Sequence, residues 1–497
     1  SSRSCLYSHS PRVRCSRLDS SPIISYKIHM IATAPSPGYG ERFPPGGPPS
    51  QARPPSHDPR VFVIAGLGYG DEGKGTTVDW LARRYAPGHG RQTVVVRYNG
   101  GAQAAHNVVL PCGTHHTFSQ FGSGTLAGAA TFLSHHMIVN PSTMLVETDV
   151  LRTLPHPISI GDPLSRVHVD ERALVTTRFH VAANHIRELV AGRGSHGSCG
   201  MGVHETVQDA ALGRPSLRVA DLRDPVLLTR KLAEIQESKR AELLVPYSQA
   251  PEYAKVQALE DEFSMLTTPS VVDVLAGRML AWAGRVSIVA DAWLEGHLRK
   301  LGMLTIFEGA QGVLLDQTHG FFPHVTHSNT TFANADALLA DAGYDGPVLR
   351  YGVSRTYQTR HGAGPMPTAR PDLDVLLAHD HNHCPRPGPS QATWQGRMRA
   401  GELDLVTARH AVAYIGKLDG IVFTHADVVD PADMPVCMSY VDADRIPMMH
   451  HEATHKLVAV AQPDEIRNMS VGEFAERLGS HVVVTSHGPT HEHKKET

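Results

Sequence analysis

The chain has 497 residues, of which 41% are hydrophobic and 19% are charged, and its formal net charge is -3. These values are ordinary for a globular protein with a sizeable core, and they argue against a broad nucleic-acid or membrane surface. The longest apolar runs are only as long as a strand, so none is expected to span a bilayer. Six scattered cysteines without a CxxC pair indicate reduced thiols, so the cytoplasm is the expected compartment.

Residues 1–57 differ in composition from the rest of the chain. They are rich in Pro, Gly and Ser and hold too few apolar residues for a core, so they are predicted to form a disordered arm. The first 30 residues are rich in Arg and Ser and poor in acidic residues, as in organelle-targeting segments, and Met30 is an alternative start. Targeting to an organelle therefore stays open, and residues 58–497 are predicted to form one domain.

The globular pattern begins with a strand, a glycine-rich loop and a helix. VFVIAG (61–66) predicts a buried strand, and TTVDWLARRYA (76–86) has apolar residues at helical spacing. The loop from Gly68 to Lys74 fits G-x-x-x-x-G-K, a pattern whose backbone N–H groups bind phosphate at a helix N-terminus. Gly75 supplies no hydroxyl for Mg²⁺ after the lysine, so Asp71 is the natural substitute as a metal ligand.

Strand-like and helical segments alternate along the remaining chain. The strand-like runs are TVVVRY (93–98), LTIFEG (304–309), VLRYGVS (348–354), GIVFTHAD (420–427) and HVVVTS (481–486). Helical stretches are expected around 225–300 and 402–416. This order predicts an α/β fold in which helices flank a large, mostly parallel central sheet, related to the P-loop nucleotide-binding folds.

Two histidine-rich segments invite a different interpretation. HDHNHC (379–384) lies among prolines and has no partner cluster, so a solvated loop is predicted in preference to a metal site. HEHKKET (491–497) is predicted to be a frayed, exposed end.

The loop GDEGKG (70–75) resembles the signature of adenylosuccinate synthetases, and further similar segments follow in the order of that family. They are RYNGGAQAAHNVV (97–109), FEGAQGVLLDQTHGFFPHVTHSNTT (307–331), YQTRHGAGPMPT (357–368), GRMRAGELDLV (396–406), FTHADVVD (423–430) and TSHGPT (485–490). The resemblance implies a Mg²⁺-dependent homodimer in which GTP phosphorylates the 6-oxygen of IMP. L-Aspartate then displaces that phosphate to give adenylosuccinate, a step of purine nucleotide biosynthesis.

The resemblance also implies roles for individual residues. Asp71 would be the general base toward N1 of the purine and would bind Mg²⁺ together with the backbone carbonyl of Ala105. His106 would stabilise the phosphoryl group in transit, and the catalytic set is Asp71, His106, Lys74 and Gln311. The residues implied for GTP are Gly70, Glu72, Gly73, Lys74, Gly75, Asp427, Ser486 and Gly488. The residues implied for IMP are Asp71, Gln103, Gln311 and Thr326.

Arg397 and Arg399 are predicted to bind aspartate. An Arg-x-Arg pair on a glycine-flanked loop suits a substrate with two carboxylates, because a guanidinium binds a carboxylate with two parallel hydrogen bonds. In the resembled family this loop grips aspartate.

Departures from the family pattern are concentrated where the 5′-phosphate of IMP would bind. The segment 194–206 lacks the family's arginine, and Ala211 stands near the position of an arginine that reaches into the partner subunit's site. Ser195, His196, Ser198 and Arg214 are the candidate replacements. Elsewhere His361 replaces a valine, and His425 replaces a lysine of the guanine-reading segment, which leaves the preference for GTP over ATP open.

Three hypotheses follow from these departures. The first is a divergent adenylosuccinate synthetase, and the intact pair of Asp71 and His106 disfavours only the third hypothesis below. The second is a paralogous synthetase that couples aspartate or another amine to a different purine nucleotide. The third is a non-catalytic nucleotide-binding homologue.

Overall fold

The structure is a computed structural model that describes residues 60–86, 92–155, 161–192, 197–300, 302–380, 394, 396–441, 443–446 and 451–497. The predicted N-terminal arm, residues 1–57, lies outside the described residues, as does most of the histidine-rich segment 379–384. In the ranges just given, no helix combines the length and the apolar composition that crossing a membrane requires.

Strands and helices alternate along most of the described chain. The strands are β1 (Val61–Gly66), β2 (Gln92–Arg97), β3 (His106–Val109), β4 (His115–Phe118), β5 (Ala130–Leu133), β6 (Ile138–Val139), β7 (Val167–Asp170), β8 (Leu174–Val175), β9 (Ser287–Val289), β10 (Met303–Gly312), β11 (Leu349–Arg355), β12 (Gln358–His361), β13 (Met398–Gly401), β14 (Leu403–Asp404), β15 (Gly420–Thr424), β16 (Met434–Tyr440), β17 (Pro463–Met469), β18 (Val482–Ser486) and β19 (Lys494–Glu496). The helices are α1 (Lys74–Tyr85), α2 (Pro141–Arg152), α3 (Arg178–Ala191), α4 (Val203–Ala211), α5 (Pro225–Ser248), α6 (Gln257–Thr267), α7 (Ser270–Ala283), α8 (Ala292–Leu298), α9 (Ala333–Asp341), α10 (Leu405–Ile415), α11 (His451–Val460) and α12 (Val471–Arg477).

A ten-stranded sheet forms the centre of the fold, with the strand order β19-β18-β15-β11-β1-β10-β2-β5-β7-β9. Its neighbouring strands run parallel, except that β19 pairs antiparallel with β18. The mixed α/β fold with a large, mostly parallel sheet is therefore confirmed.

The central strands are buried on both faces, as expected for a parallel sheet covered by helices. In β1, alternate residues belong to two hydrophobic clusters: Phe62 and Ile64 pack with Leu81 of α1, whereas Val61 and Val63 pack with residues of α9 and α10. A third cluster joins β5 and β7 to helices α2, α3, α5, α6 and α7.

The parallel arrangement determines where loops can meet. Strands β1, β2, β10, β11, β15 and β18 all point the same way, so their carboxyl ends lie along one edge of the sheet. In open α/β sheets ligands bind at this edge, because the following loops and helix N-termini converge there. The segments singled out from the sequence include or closely follow these strand ends, except GRMRAGELDLV (396–406), which contains β13 and β14.

The C-terminal tail is largely exposed, as predicted, but it is not frayed. His491–His493 form a turn of 3₁₀-helix, and Lys494–Glu496 form β19, which pairs with Val484 to Ser486. The polar composition of the tail suggested an exposed end. An edge strand, however, needs main-chain hydrogen bonds more than apolar side chains.

Candidate functional site

A cavity of about 1180 Å³ opens at the carboxyl edge of the sheet. Its wall consists of the loops that follow β1, β2, β10, β11, β15 and β18, together with parts of α3 and α4. Pockets that hold one small ligand measure roughly 300–1,000 Å³, so this cavity has room for more than one substrate.

Most of the residues predicted for the site line this one cavity. They are Gly70, Asp71, Gly73, Lys74, Gly75, Gln103, Ala105, His106, Gln311, Thr326, Asp427, Ser486 and Gly488. Glu72, Arg397 and Arg399 are not part of its wall.

The loop between β1 and α1 depends on left-handed backbone conformations. Gly70 and Gly73 have φ of 92° and 90°, and Asp71 has φ of 60°, a conformation that is uncommon for a residue with a side chain. Gly73 is the N-cap of α1 and has no side chain to cap the helix, so the first N–H groups of α1 face the cavity without a capping side chain. An anion bound there would be stabilised by the helix dipole.

Glu72 braces this loop from inside. Its Oε1 accepts hydrogen bonds from the backbone N–H groups of Gly68 (3.0 Å) and Gly70 (2.8 Å), and its Oε2 pairs with the ammonium of Lys74. Both charged side chains are buried. The carboxylate of Glu72 therefore holds the loop and Lys74 in place and is not free to bind a ligand.

The structure explains why glycine follows Lys74. A Cβ at Gly75 would lie 2.8 Å from the Cβ of His106 and 3.0 Å from its carbonyl carbon. A serine or threonine at this position would displace His106, so the hydroxyl of ordinary phosphate loops cannot be accommodated. The contact also places His106 directly against the N-terminal turn of α1.

His106 is oriented by a buried carboxylate that the sequence interpretation missed. Its Nδ1 lies 2.6 Å from Oε1 of Glu308. The same oxygen accepts from the hydroxyl of Ser123, and Oε2 of Glu308 accepts from the backbone N–H of Ser123. A carboxylate only accepts, so Nδ1 carries a proton and Nε2 is the nitrogen that can act on a ligand.

Electrostatics favour an ionised Glu308. Burial would raise the pKa of Glu308, but the charges of His106 and Arg97 and the hydrogen bonds from His106 and Ser123 outweigh burial and lower the pKa to about 2. Burial lowers the pKa of His106, and the Glu308 carboxylate opposes that shift. The sequence feature that could have pointed to Glu308 is an acidic residue inside the otherwise apolar strand LTIFEG (304–309).

Asp71 is held from two sides. The Nε of Arg355 donates to its backbone oxygen at 2.7 Å, and the Nδ1 of His361 lies 2.9 Å from its Oδ2. The guanidinium of Arg355 also pairs with Asp380 at 2.6 Å. His361, noted in the sequence only as a departure from a valine, therefore contacts the predicted general base.

Two amide side chains present buried acceptors. The Oε1 atoms of Gln103 and Gln311 are buried and have no hydrogen-bond partner among the described residues. Gln311 also adopts a left-handed conformation, with φ of 59°. Such groups are costly in an empty protein, so they indicate positions where a ligand donates hydrogen bonds.

The arginines predicted for aspartate lie beside the cavity instead of in its wall. Arg397 is largely exposed and pairs with Asp374 at 3.0 Å. Arg399 donates to the carbonyls of Gly362 and Gly364, each at 2.9 Å. Arg360, from the neighbouring strand β12, does line the cavity, as do Arg187 and Arg355. Its guanidinium lies 4.5 Å from the ring centroid of Tyr69 and donates to three backbone carbonyls.

A second group of predicted residues lies at the ends of β15 and β18. Asp427, Ser486 and Gly488 line the cavity there. The ammonium of Lys494 donates to the hydroxyls of Ser486 and Thr76, both at 2.8 Å, so the C-terminal strand contributes to this end of the site. Burial lowers the pKa of Lys494 to about 7, against the opposing charges of Asp79 and Asp427.

Of the candidate replacements for the missing arginine, two can be placed. Ser198 lines the cavity and accepts a hydrogen bond from Asn184 at 2.9 Å. Arg214 is not in the cavity wall, and it pairs with Glu242 at 3.0 Å and Asp209 at 3.4 Å. Ser195 and His196 lie outside the described residues.

Comparison with known proteins relates the chain to one family. The family model described as "Adenylosuccinate synthetase" matches residues 63–465. Adenylosuccinate synthetase from Marinomonas sp. (strain MWYL1) is 32% identical over 391 residues, which cover 78% of this chain and 81% of the relative. That of Tolumonas auensis is 32% identical over 387 residues, with 77% and 80% covered.

The fold is also similar to that of a solved structure. Fully ligated adenylosuccinate synthetase from Plasmodium falciparum superposes with a TM-score of 0.68 at 18% sequence identity. The match covers 88% of this chain and 100% of that structure's chain.

Proposed function

The chain belongs to the adenylosuccinate synthetase family, and we propose how its own residues carry out that family's reaction. The reaction is the GTP-dependent ligation of IMP and L-aspartate to adenylosuccinate, with release of GDP and phosphate. The observation that carries the assignment of roles is the shared cavity wall of Asp71, Lys74 and His106, in which His106 packs against the first turn of α1.

The first step transfers the γ-phosphoryl group to the acceptor. Asp71 removes the proton from N1 of the purine, and the electron pair moves to the 6-oxygen, which attacks the γ-phosphorus of GTP. The bond between that phosphorus and the bridging oxygen breaks, and GDP leaves. Positioned proton transfer of this kind contributes about 10²–10⁴ in rate. His361 and Arg355 support this role because they fix the carboxylate and the backbone of Asp71.

Cationic groups stabilise the phosphoryl group in flight. Lys74 and the N-terminal N–H groups of α1 face the phosphates. An anionic phosphoryl group near Nε2 of His106 adds to the effect of Glu308 and favours the imidazolium, which donates to a phosphoryl oxygen.

The residues proposed for Mg²⁺ fit that ion. Asp71 provides a carboxylate and Ala105 a backbone carbonyl in the same cavity wall as Lys74. Mg²⁺ binds hard oxygen ligands and usually takes only one or two carboxylates, with substrate phosphates and waters completing its shell. When bound, it neutralises charge on the phosphate oxygens.

In the second step the amine of aspartate attacks C6 and displaces the phosphate. Arg360 supports a carboxylate site, because its buried guanidinium lines the cavity and is hydrogen-bonded only to neutral groups among the described residues. Arg399 positions the backbone of 362–364 beside it, and Arg397 stands at the exposed rim. We propose that Arg397 and Arg399 bind aspartate only together with a movement of their loop.

At the far end of the cavity, Asp427, Ser486 and Gly488 are proposed to bind the guanine of GTP. A carboxylate can accept both the N1–H and the exocyclic amine of guanine, which adenine cannot offer together. Lys494 stands behind Ser486 and fixes its hydroxyl.

Three broader proposals accompany this assignment. Residues 58–497 act as one catalytic domain, and two copies of the chain form a homodimer. The cytoplasm is the proposed compartment, supported by the free thiols of Cys112, Cys199 and Cys437.

The test is the acceptor dependence of phosphate release from GTP. We expect release that requires both IMP and L-aspartate, together with formation of adenylosuccinate. Release with another purine nucleotide but not with IMP would identify a paralogous synthetase. Tight binding of GTP without turnover on any acceptor would indicate a non-catalytic homologue.

A further inference from the structure

The wall around Thr326 raises the question of what binds the acceptor's phosphate. Residues 197–199, the start of α4 and the segment that contains Thr326 and His327 line this part of the cavity. A phosphate dianion needs charge-assisted donors. The sequence provides no arginine in the segment 194–206.

The guanidinium of Arg187 also lines the cavity, but it is already neutralised. Its Nε donates to Glu205 at 2.8 Å, and its Nη2 pairs with Glu242 at 2.5 Å. The ammonium of Lys239 is fully buried and binds Glu205 and Asp209, each at 2.9 Å.

This group of charges is balanced. Together with Arg214, the cations Arg187 and Lys239 face the carboxylates Glu205, Asp209 and Glu242. The network therefore offers no excess positive charge to a ligand.

Two histidines lie in this part of the cavity wall, next to the balanced charge network. The rings of His204 on α4 and His327 next to Thr326 line the cavity with their centroids 3.8 Å apart. The Nδ1 of His204 is buried and has no hydrogen-bond partner in the described part of the chain. A buried polar atom left unpaired in a cavity wall indicates a group that a ligand satisfies.

We propose that His204 and His327 form an imidazole pair that, with Thr326, binds the phosphate of the acceptor nucleotide in place of a guanidinium. The proposal rests on the proposed function, since it assigns the phosphate subsite of the same acceptor. The ligand class is a purine nucleoside monophosphate.

An imidazole pair differs from arginine because its charge depends on pH. Burial lowers the pKa of His204, and burial with the neighbouring His204 lowers the pKa of His327 to about 3, so both rings are neutral in the empty cavity. The charged groups that face them are Glu205 and Asp209 on α4, Arg187 on α3 and Lys239 on α5.

A bound dianion raises the pKa of both rings. At a pH between the pKa of the rings in the empty cavity and their pKa in the occupied cavity, the rings therefore take up protons when the ligand binds. Affinity for the monophosphate therefore rises as the pH falls from about 8 toward about 7, where the phosphate, with a second pKa of about 6, is still mainly a dianion.

The experiment compares the binding of IMP with that of inosine, which lacks the phosphate, by calorimetry in buffers of different ionisation enthalpy. Variants His204→Gln and His327→Gln are compared with His481→Gln, an exposed histidine whose backbone oxygen accepts from Ile421. Wild-type protein should take up protons with IMP but not with inosine. The two site variants should lose about tenfold or more of the affinity for IMP, while inosine binds as before.

The result that would overturn the proposal is a ratio of IMP to inosine affinity that neither site variant changes. Equal proton uptake with both ligands would overturn it as well. Binding is measured without turnover, so this outcome is distinct from failure of the proposed function, which appears as absence of acceptor-dependent phosphate release.

Discussion

At the scale of single residues, the site depends on side chains whose orientation is fixed by partners behind them. His106 has one ring nitrogen committed to Glu308, and Asp71 is held by His361 and Arg355. The contribution of Glu308 is to set which nitrogen of His106 meets the substrate, because its carboxylate can only accept. Partners that orient a metal-ligating histidine change affinity or activity by about 10–100-fold when they are removed, and we expect a similar effect here.

Glu308→Gln should therefore lower kcat about tenfold to a hundredfold while GTP and IMP still bind. The amide loses the negative charge that favours the imidazolium and presents a donor where Ser123 also donates. Glu147→Gln is the matched control, since Glu147 is another buried carboxylate that accepts backbone N–H groups and lies near a histidine, outside the cavity. The measurement is kcat of both variants from steady-state kinetics. An unchanged kcat in Glu308→Gln would refute the positioning role of Glu308.

Asp71 and Lys74 could be predicted because a strand, a glycine-rich loop and a helix occur in a recognisable order, whereas His106 was predicted from the resemblance of the segment 97–109 to the family. It did not reveal Glu308, because strand periodicity does not show which distant side chain a buried acid will meet. Arg360 was missed for a similar reason: the neighbouring Arg-x-Arg pattern fits a dicarboxylate better, yet the fold places Arg360 in the cavity wall.

At the scale of elements, two contacts position the site. The first is the close approach of α1 to β3 at Gly75, where a Cβ would lie 2.8 Å from that of His106. The second is the charge network that joins α3, α4 and α5 around the fully buried Lys239. From the sequence pattern alone, Gly75 is only a glycine next to a turn and Lys239 is only a lysine on a helix, so neither contact could be predicted.

Gly75→Ala should reduce activity by displacing His106, at a cost of about 1–3 kcal/mol in stability, as for other overpacked sites. Gly277→Ala is the matched control: it also replaces a helical glycine, but no atom lies within 4 Å of its added Cβ. Alanine should stabilise α7 there by up to about 1 kcal/mol. Activity and thermal unfolding of the two variants give the comparison, and a fully active Gly75→Ala would show that His106 tolerates the displacement.

Lys239→Met should lower the free energy of unfolding by about 3–5 kcal/mol, because three carboxylates would lose their shared buried cation. The exposed pair of Lys255 and Glu252 supplies the control, and Lys255→Met should change stability by less than about 1 kcal/mol. Urea denaturation measures both effects. Equal stability of the two variants would mean that the network does not join the three helices.

At the scale of the whole molecule, the site is a consequence of sheet topology. Strand β10 pairs with both β1 and β2, so Gln311 is brought beside the phosphate loop although some 240 residues separate them in the chain. The sequence predicted a mostly parallel sheet and six of its strands, β1, β2, β10, β11, β15 and β18, but not β5, β7 and β9. The strand order and the added edge strand β19 could not be predicted, since they depend on long-range pairing that local patterns do not encode.

The central claim is that Asp71 activates the purine oxygen for attack on GTP, and positional isotope exchange tests it most directly. GTP labelled with ¹⁸O in the bridge between the β- and γ-phosphates is incubated with IMP and Mg²⁺ in the absence of aspartate. Reversible transfer to the 6-oxygen should move label from the bridge to non-bridging positions, and only when IMP is present. In Asp71→Asn the exchange should fall about 10²–10⁴-fold while the nucleotides still bind. Exchange that does not need IMP, or that persists in the variant, would contradict the account.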